Sequence, residues 1–101
     1  MIYTSYDDFF TVLSNKQRVK ILQYLNQEGP KSVSEISSKL KIEQSAVSHA
    51  MRRLYMCHFV EVKQQGKERM YSINKDTVQP LFKLIEKHVK AYCVKGCVHW
   101  E

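Results

Sequence analysis

IEQSAVSHAMRRL, residues 42 to 54, decides how this chain folds. Wound as a helix from Gln44 to about Met56, it sets Val47, Ala50, Met51 and Leu54 at the i, i+3, i+4, i+7 spacing of a buried stripe. The other side carries Ser45, Ser48, His49 and Arg52, a polar row facing water. Just upstream, Ser32 and Glu35 match the S-x-x-E capping box, whose hydroxyl and carboxylate satisfy the free N–H groups of a helix start. That box predicts a short helix from about Val33 to Leu40, with Val33, Ile36 and Leu40 inward. A break at about Lys41 to Glu43 separates the two helices. This is the helix-turn-helix arrangement, in which the second helix lies in the major groove of duplex DNA.

The polar row suits that task. Short side chains let the helix approach closely. Gln44 can read adenine through its amide, Ser45 and Ser48 can bond to base or phosphate, and Arg52 reaches phosphate or guanine; His49 shares their face. Glu43 goes against the pattern. It sits near the N-cap, where Ser or Thr caps better, and it turns a carboxylate toward the phosphates.

After Cys57, a small core residue, the periodicity changes from helical to alternating: FVEVKQ, then QGK, then ERMYSI. Val60 and Val62 face inward on one strand, Tyr71 and Ile73 on the next, and Gly66 supplies a tolerant backbone at the turn. Lys63, Lys67 and Arg69 lie on the tip and flanks of this hairpin, placed to follow the phosphate backbone as a wing.

Upstream, Ser5, Asp7 and Asp8 suit a helix start, because a side-chain acceptor and negative charge favour the first turn; Phe9, Phe10, Val12 and Leu13 form its apolar side. A second helix follows Ser14-Asn15, with Val19, Leu22 and Leu25 at helical spacing and Ile21 beside them, and it ends by Gly29-Pro30. The last helix runs from about Asp76 to Val94, with Pro80 in its first turn, where proline is tolerated. Val78, Leu81, Phe82, Ile85, Val89 and Tyr92 lie along one stripe of it. A stripe that long needs a partner, and its copy in a second chain serves, so a two-fold homodimer is expected. His88 lies on or beside the stripe. The fold class is therefore mainly α with a small β-hairpin, in the order α-α-α-α-β-β-α, with the terminal helices as the dimer contact.

A chain of 101 residues with 44% hydrophobic and 26% charged content makes one domain over residues 1 to 101, with a tail, 93 to 101, free to flex. Lys and Arg number 16 against 10 acids, a formal +6, which favours a polyanionic partner. From Gln44 to Lys75 six basic residues face two acids, so +4 of that charge sits on the helix and hairpin. No run of about 18 apolar residues could span a bilayer, and MIYTSYDDFF carries acids where a signal peptide carries lysine or arginine. A cytoplasmic protein with no membrane partner is expected. Three cysteines cannot all pair within one chain, so an extracellular disulfide framework is not expected. There is no G-x-S-x-G, no phosphate-cradling glycine loop and no H-E-x-x-H, so the chain does not read as an enzyme.

Taken together, LSNKQRVKILQYL, VSEISSKLKIEQSAVSHAMRRL and QQGKERMYSI resemble the ArsR/SmtB winged-helix repressors over about residues 7 to 92. The resemblance implies a homodimeric transcriptional repressor that leaves its DNA operator when an inducer, often a metal ion, binds. Metal sensors of this family carry a Cys-x-Cys pair on the third helix. Ser32 and Ser34 hold those positions here, and hydroxyls are not thiolate ligands. The family's second site uses an acid and histidines of the last helix; His88 matches, while Lys75, Thr77 and Ala91 occupy the other places. One histidine does not hold zinc. Neither family metal site is expected.

The tail CVKGCVHW carries soft groups of its own. Cys93, Cys97 and His99, at a Cys-x3-Cys-x-His spacing, offer ligands for zinc or copper, or a thiol pair for redox sensing of an inducer; an inert chain end fits as well. The remaining alternative is a winged-helix module that binds protein or RNA and has no operator.

Overall fold

A computed structural model describes residues 2 to 93 as seven elements in the expected order: α1 (Ile2–Leu13), α2 (Lys16–Glu28), α3 (Val33–Leu40), α4 (Gln44–Met56), β1 (Val60–Gln65), β2 (Glu68–Ile73) and α5 (Val78–Tyr92). Local chemistry starts and stops most of them. Asn15 Oδ1 accepts from the Arg18 N–H at 2.9 Å to begin α2, and Gly29, at φ 86°, ends it. Ser32 and Glu35 make both halves of the capping box of α3, at 3.2 and 3.0 Å. Asn74 Oδ1 gathers the N–H groups of Asp76 and Thr77 ahead of α5.

All five helices and the base of the hairpin contribute to the core, α1 through Val12 and α5 through Val78 and Phe82. Ile21, Leu22 and Leu25 of α2, Ile36 of α3, and Val47, Ala50, Met51 and Leu54 of α4 are buried together with Phe59, Val60 and Ile73. Each large side chain so removed from water contributes about 1.5 to 3 kcal/mol. Cys57 is half-buried against this core. Val19, expected inward, is only half-buried, because Ile21 takes its place beside Leu22 and Leu25.

The antiparallel strands pair Val60 with Ile73, Val62 with Tyr71 and Gln65 with Glu68, leaving Gly66 and Lys67 as a two-residue turn. Gly66 sits at φ 61°, a left-handed value that glycine adopts without steric cost. Lys31, in the connection before α3, adds an antiparallel bridge to Tyr71.

Both terminal helices depart from expectation. α1 begins at Ile2 rather than near Ser5, so Asp7 and Asp8 lie within the helix and do not serve its first turn. Burial of Val12 and the packing of Phe9 on Phe59, with ring centroids 5.0 Å apart, hold this helix, and those contacts outweigh a few tenths of a kcal/mol of charge–dipole preference. Phe10, expected on the apolar side, is 62% exposed.

In α5 the single stripe expected for the dimer divides. Val78 and Phe82 are buried in the core of their own chain, so they do not face a second copy. Their turn of α5 packs on α2, where Gln79 Nε2 donates to Asn26 Oδ1 at 3.2 Å. Beyond Phe82 the helix outruns the core. Leu81 is half-buried, Ile85, Val89 and Tyr92 are exposed, and Leu84, which the stripe had left out, is 64% exposed.

Candidate nucleic-acid interface

The turn before α4 is held from both sides. Lys41 takes the left-handed conformation at φ 57° as the C-cap of α3, and its N–H donates to Ser37 O. Ser37 Oγ donates to Ile42 O at 2.6 Å, and the Ile42 N–H donates back to Ser37 O at 3.2 Å. With Val47, Ala50, Met51 and Leu54 buried, the opposite side of α4 is fixed outward. Gln44, Ser45, Ser48, His49 and Arg52 are all exposed.

Their row divides between two clefts. Ser48 and Arg52 face a groove of about 950 Å³ that lies between the start of α3, the outer side of α4 and the hairpin. Ser45 and His49 face a smaller cleft of about 420 Å³, whose far wall is Asn15, Gln17 and Arg18 at the start of α2. The polar row is thus flanked by the wing on one side and by a helix start on the other.

Arg69 lines the larger groove from the wing, with Gln64, Val62 and Tyr71 on the same face of the hairpin. The register sets this: Gln64 pairs with Arg69, and Lys63 pairs with Met70 on the opposite face. Lys67 occupies the tip. The three basic wing residues therefore do not share a face, because successive residues of a strand alternate sides.

Sequence reasoning missed Ser34 and Tyr55, which line the groove beside Ser48 and Arg52. Tyr55 is 50% exposed. The signal was present, since Ser48, Arg52 and Tyr55 continue one line at i, i+4, i+7, but an aromatic residue at helical spacing reads as core. Gln44 also differs from expectation: its Nε2 lies 3.5 Å from Ser34 Oγ, so the amide is turned toward α3 rather than outward.

Among the described residues no three His, Cys, Asp or Glu side chains converge to hold a metal. Ser32, at one of the aligned thiolate positions, is 4% exposed and committed to capping α3, and Ser34 carries a hydroxyl, so these residues do not fit the family's metal. Glu35 completes that cap: the Ser32 N–H bonded to its carboxylate holds its pKa below the ordinary glutamate value, with Lys31 and the Ser32 hydroxyl adding to the effect and desolvation opposing it. His88 is exposed, its ring 5.0 Å from that of Tyr92. Cys93 is half-buried at the end of α5; Cys97 and His99 lie outside the described residues. No described helix is long and apolar enough to cross a membrane.

Residues 15 to 62, from the cap of α2 into β1, match the family model for bacterial regulatory proteins of the arsR family. The transcriptional repressor PagR of Bacillus anthracis is 30% identical, with 82% of this chain and 98% of that one covered and a TM-score of 0.68. The chain belongs to the arsR family. A homodimeric winged helix-turn-helix DNA-binding domain of Mycobacterium bovis, 22% identical, matches this ArsR-family fold with a TM-score of 0.83 over 98% of this chain and 91% of that one. A transcriptional repressor SmtB homolog of Synechocystis sp. is 25% identical over 83 residues, which span 82% of this chain and 62% of that protein. This ArsR-family chain is a transcriptional regulator with a DNA-binding winged helix-turn-helix fold, and not an enzyme.

Proposed function

We propose that this ArsR-family regulator is a homodimeric, sequence-specific repressor that leaves its operator when an inducer acts. One observation carries the reading: Ser48 and Arg52 of the outward row of α4 face the same groove as Arg69 of the wing. Base-edge donors and phosphate-binding cations then meet one stretch of duplex together. Ser45 and His49 extend the contact on the α2 side, Lys67 takes a phosphate at the wing tip, and Lys63, on the opposite face of the hairpin, contributes least.

The dimer is supported by exposed apolar side chains on both terminal helices, Tyr6 and Phe10 on α1 and Leu84, Ile85, Val89 and Tyr92 on α5. Paired about a two-fold axis, such helices set two recognition helices about 34 to 36 Å apart, one turn of DNA. The repressor names of the B. anthracis and Synechocystis proteins, and the homodimer of the M. bovis domain, point the same way.

The inducer is proposed to act at Cys93, Cys97 and His99, through zinc or copper ligation or through thiol oxidation, because Ser32 and Ser34 replace the thiolates of the family's own site. A Cys93→Ser, Cys97→Ser variant should bind DNA yet ignore zinc, copper(I), diamide and a persulfide donor. An identical response of both proteins to every agent would make the tail a mere chain end.

The deciding experiment is footprinting and gel shift on the DNA upstream of the protein's own gene, with Ser48→Ala, Arg52→Ala beside the wild type. Loss of the footprint in a variant that remains a dimer is the expected result. Wild-type retention on duplex DNA that collapses with salt and shows no preferred sequence would favour the module for protein or RNA.

A further inference from the structure

We propose that Glu43 is a specificity-determining residue of the recognition helix, its carboxylate accepting a hydrogen bond from the exocyclic amino group of a cytosine in each half-site, with Ser45 as its positioning residue. The inference rests on the operator-binding reading and adds the chemistry of one base.

Glu43 precedes the first residue of α4, the end of a recognition helix that reaches base edges. A carboxylate at an N-cap ordinarily accepts from the N–H groups of its own helix. Glu43 makes no such bond. Its Oε1 instead accepts from Ser45 Oγ at 2.7 Å, on the exposed side of the helix. The interaction has two consequences. It holds the carboxylate beside the outward row rather than over the helix end. It also commits the single hydroxyl proton of Ser45, so that Ser45 and Glu43 together present only lone pairs to whatever docks there.

A surface made of acceptors selects among base edges. In the major groove cytosine offers only its N4 amino donor, adenine couples a donor to the N7 acceptor, and guanine and thymine offer acceptors. An ionised carboxylate repels the latter two and pairs with the first, which is the Glu-to-cytosine contact that groove geometry allows. The same negative charge faces the phosphates and weakens binding to every sequence, so the residue lowers general affinity while raising discrimination.

The test begins with selection of preferred duplexes by the full chain, followed by titration of wild type, Glu43→Ala, Glu43→Gln and Ser45→Ala. Each protein is titrated against the selected site and against the same site with 2-pyrimidinone, which lacks the amino group, in place of the cytosine. Wild type should lose about tenfold in affinity on that replacement, and Glu43→Ala should lose less than about twofold. Glu43→Gln, which keeps one acceptor, should retain part of the preference, and Ser45→Ala should weaken it, with rescue by Ser45→Thr. Both Glu43 variants should bind random DNA more tightly than wild type. If Glu43→Ala and Glu43→Gln select the same site as wild type and only bind all DNA better, the carboxylate is a repulsive charge and the inference is wrong. A wild-type site with no cytosine under α4 overturns the inference alone, whereas no preferred site at all overturns the operator reading with it.

Discussion

Lys31 and Tyr71 exchange both of their backbone hydrogen bonds, Lys31 N–H to Tyr71 O at 2.9 Å and Tyr71 N–H to Lys31 O at 2.8 Å. The bridge fastens the wing to the connection that leads into α3. Tyr71 pairs with Val62, two residues along each strand from the Gln64 and Arg69 pair. Lys31 precedes Ser32, the cap of α3. The distance between the groove-facing wing and the helix-turn-helix is therefore set by backbone, not by a flexible side chain.

Replacing Lys31 by Pro removes the donor and leaves the Tyr71 carbonyl without its partner. The expected cost is about 1 to 3 kcal/mol of stability. Lys31→Ala keeps the N–H and removes only the side chain, whose Nζ stands 5.9 Å from the centre of the Tyr24 ring; it should cost well under half as much. Urea denaturation of the two variants gives the comparison. Faster amide exchange across β2 in Lys31→Pro, with α4 unchanged, would locate the damage at the wing.

The wing cations should separate by face. Lys67, at the tip, should behave as a phosphate-binding cation: Lys67→Ala weakens specific and random DNA alike and lowers the salt slope by about one unit for each phosphate that a subunit no longer neutralises. Arg69 faces the groove beside Arg52, so Arg69→Ala should also reduce sequence preference. Lys63, on the opposite face, should matter least. Titrations at several salt concentrations on selected and random duplexes check all three, and equal effects for Lys63 and Arg69 would contradict the register argument.

The cap of α3 should respond to acid. Ser32→Ala should cost about 1 kcal/mol, the usual worth of an N-cap hydroxyl. Glu35 has its folded-state pKa held below the ordinary value, first by the Ser32 N–H. A depressed pKa contributes stability that is fully present above the unfolded glutamate pKa and is lost as pH falls through the folded one. Glu35→Gln should therefore remove part of the loss of stability seen below about pH 4.5, the ordinary glutamate value. Parallel pH profiles for wild type and variant would disprove the assignment.

Lys41 stands at φ 57° between α3 and α4, where side chains are strained and glycine is not. Lys41→Gly should stabilise the fold by up to about 1 kcal/mol, after the added freedom of the unfolded chain is offset. Lys41→Val should destabilise it. Thermal midpoints of the pair decide the sign.

Much of the fold was legible in the sequence because it is local. The S-x-x-E pair at Ser32 and Glu35 marked α3 to the residue, and the spacing of Val47, Ala50, Met51 and Leu54 marked α4. Alternation around Gly66 marked the hairpin. Periodicity failed where the answer depends on what lies opposite. Phe82 and Ile85 sit on one continuous stripe, yet only the first is buried in the core. Phe10 resembles Phe9 in sequence, but Phe59 lies under Phe9 alone. Likewise the Glu43 and Ser45 bond depends on a rotamer at a helix start, and no composition rule reports it.

The division of α5 gives two of its side chains different surroundings. Phe82 is 4% exposed within its own chain, so Phe82→Ala should leave a cavity and cost about 3 to 5 kcal/mol, enough to unfold a small domain at moderate temperature. Leu84 is 64% exposed and belongs to no core. Leu84→Asp should then leave each chain folded and abolish the dimer, because it puts a charge into the apolar surface proposed to meet a second copy. Phe10→Asp on α1 should do the same, from the second exposed patch. Light scattering reads the mass and circular dichroism the fold. Folded monomers from Leu84→Asp alongside unfolded chain from Phe82→Ala would assign one side of the helix to its own core and the other to a second copy. A Leu84→Asp protein that still dimerises as tightly as wild type would show that the copies meet elsewhere.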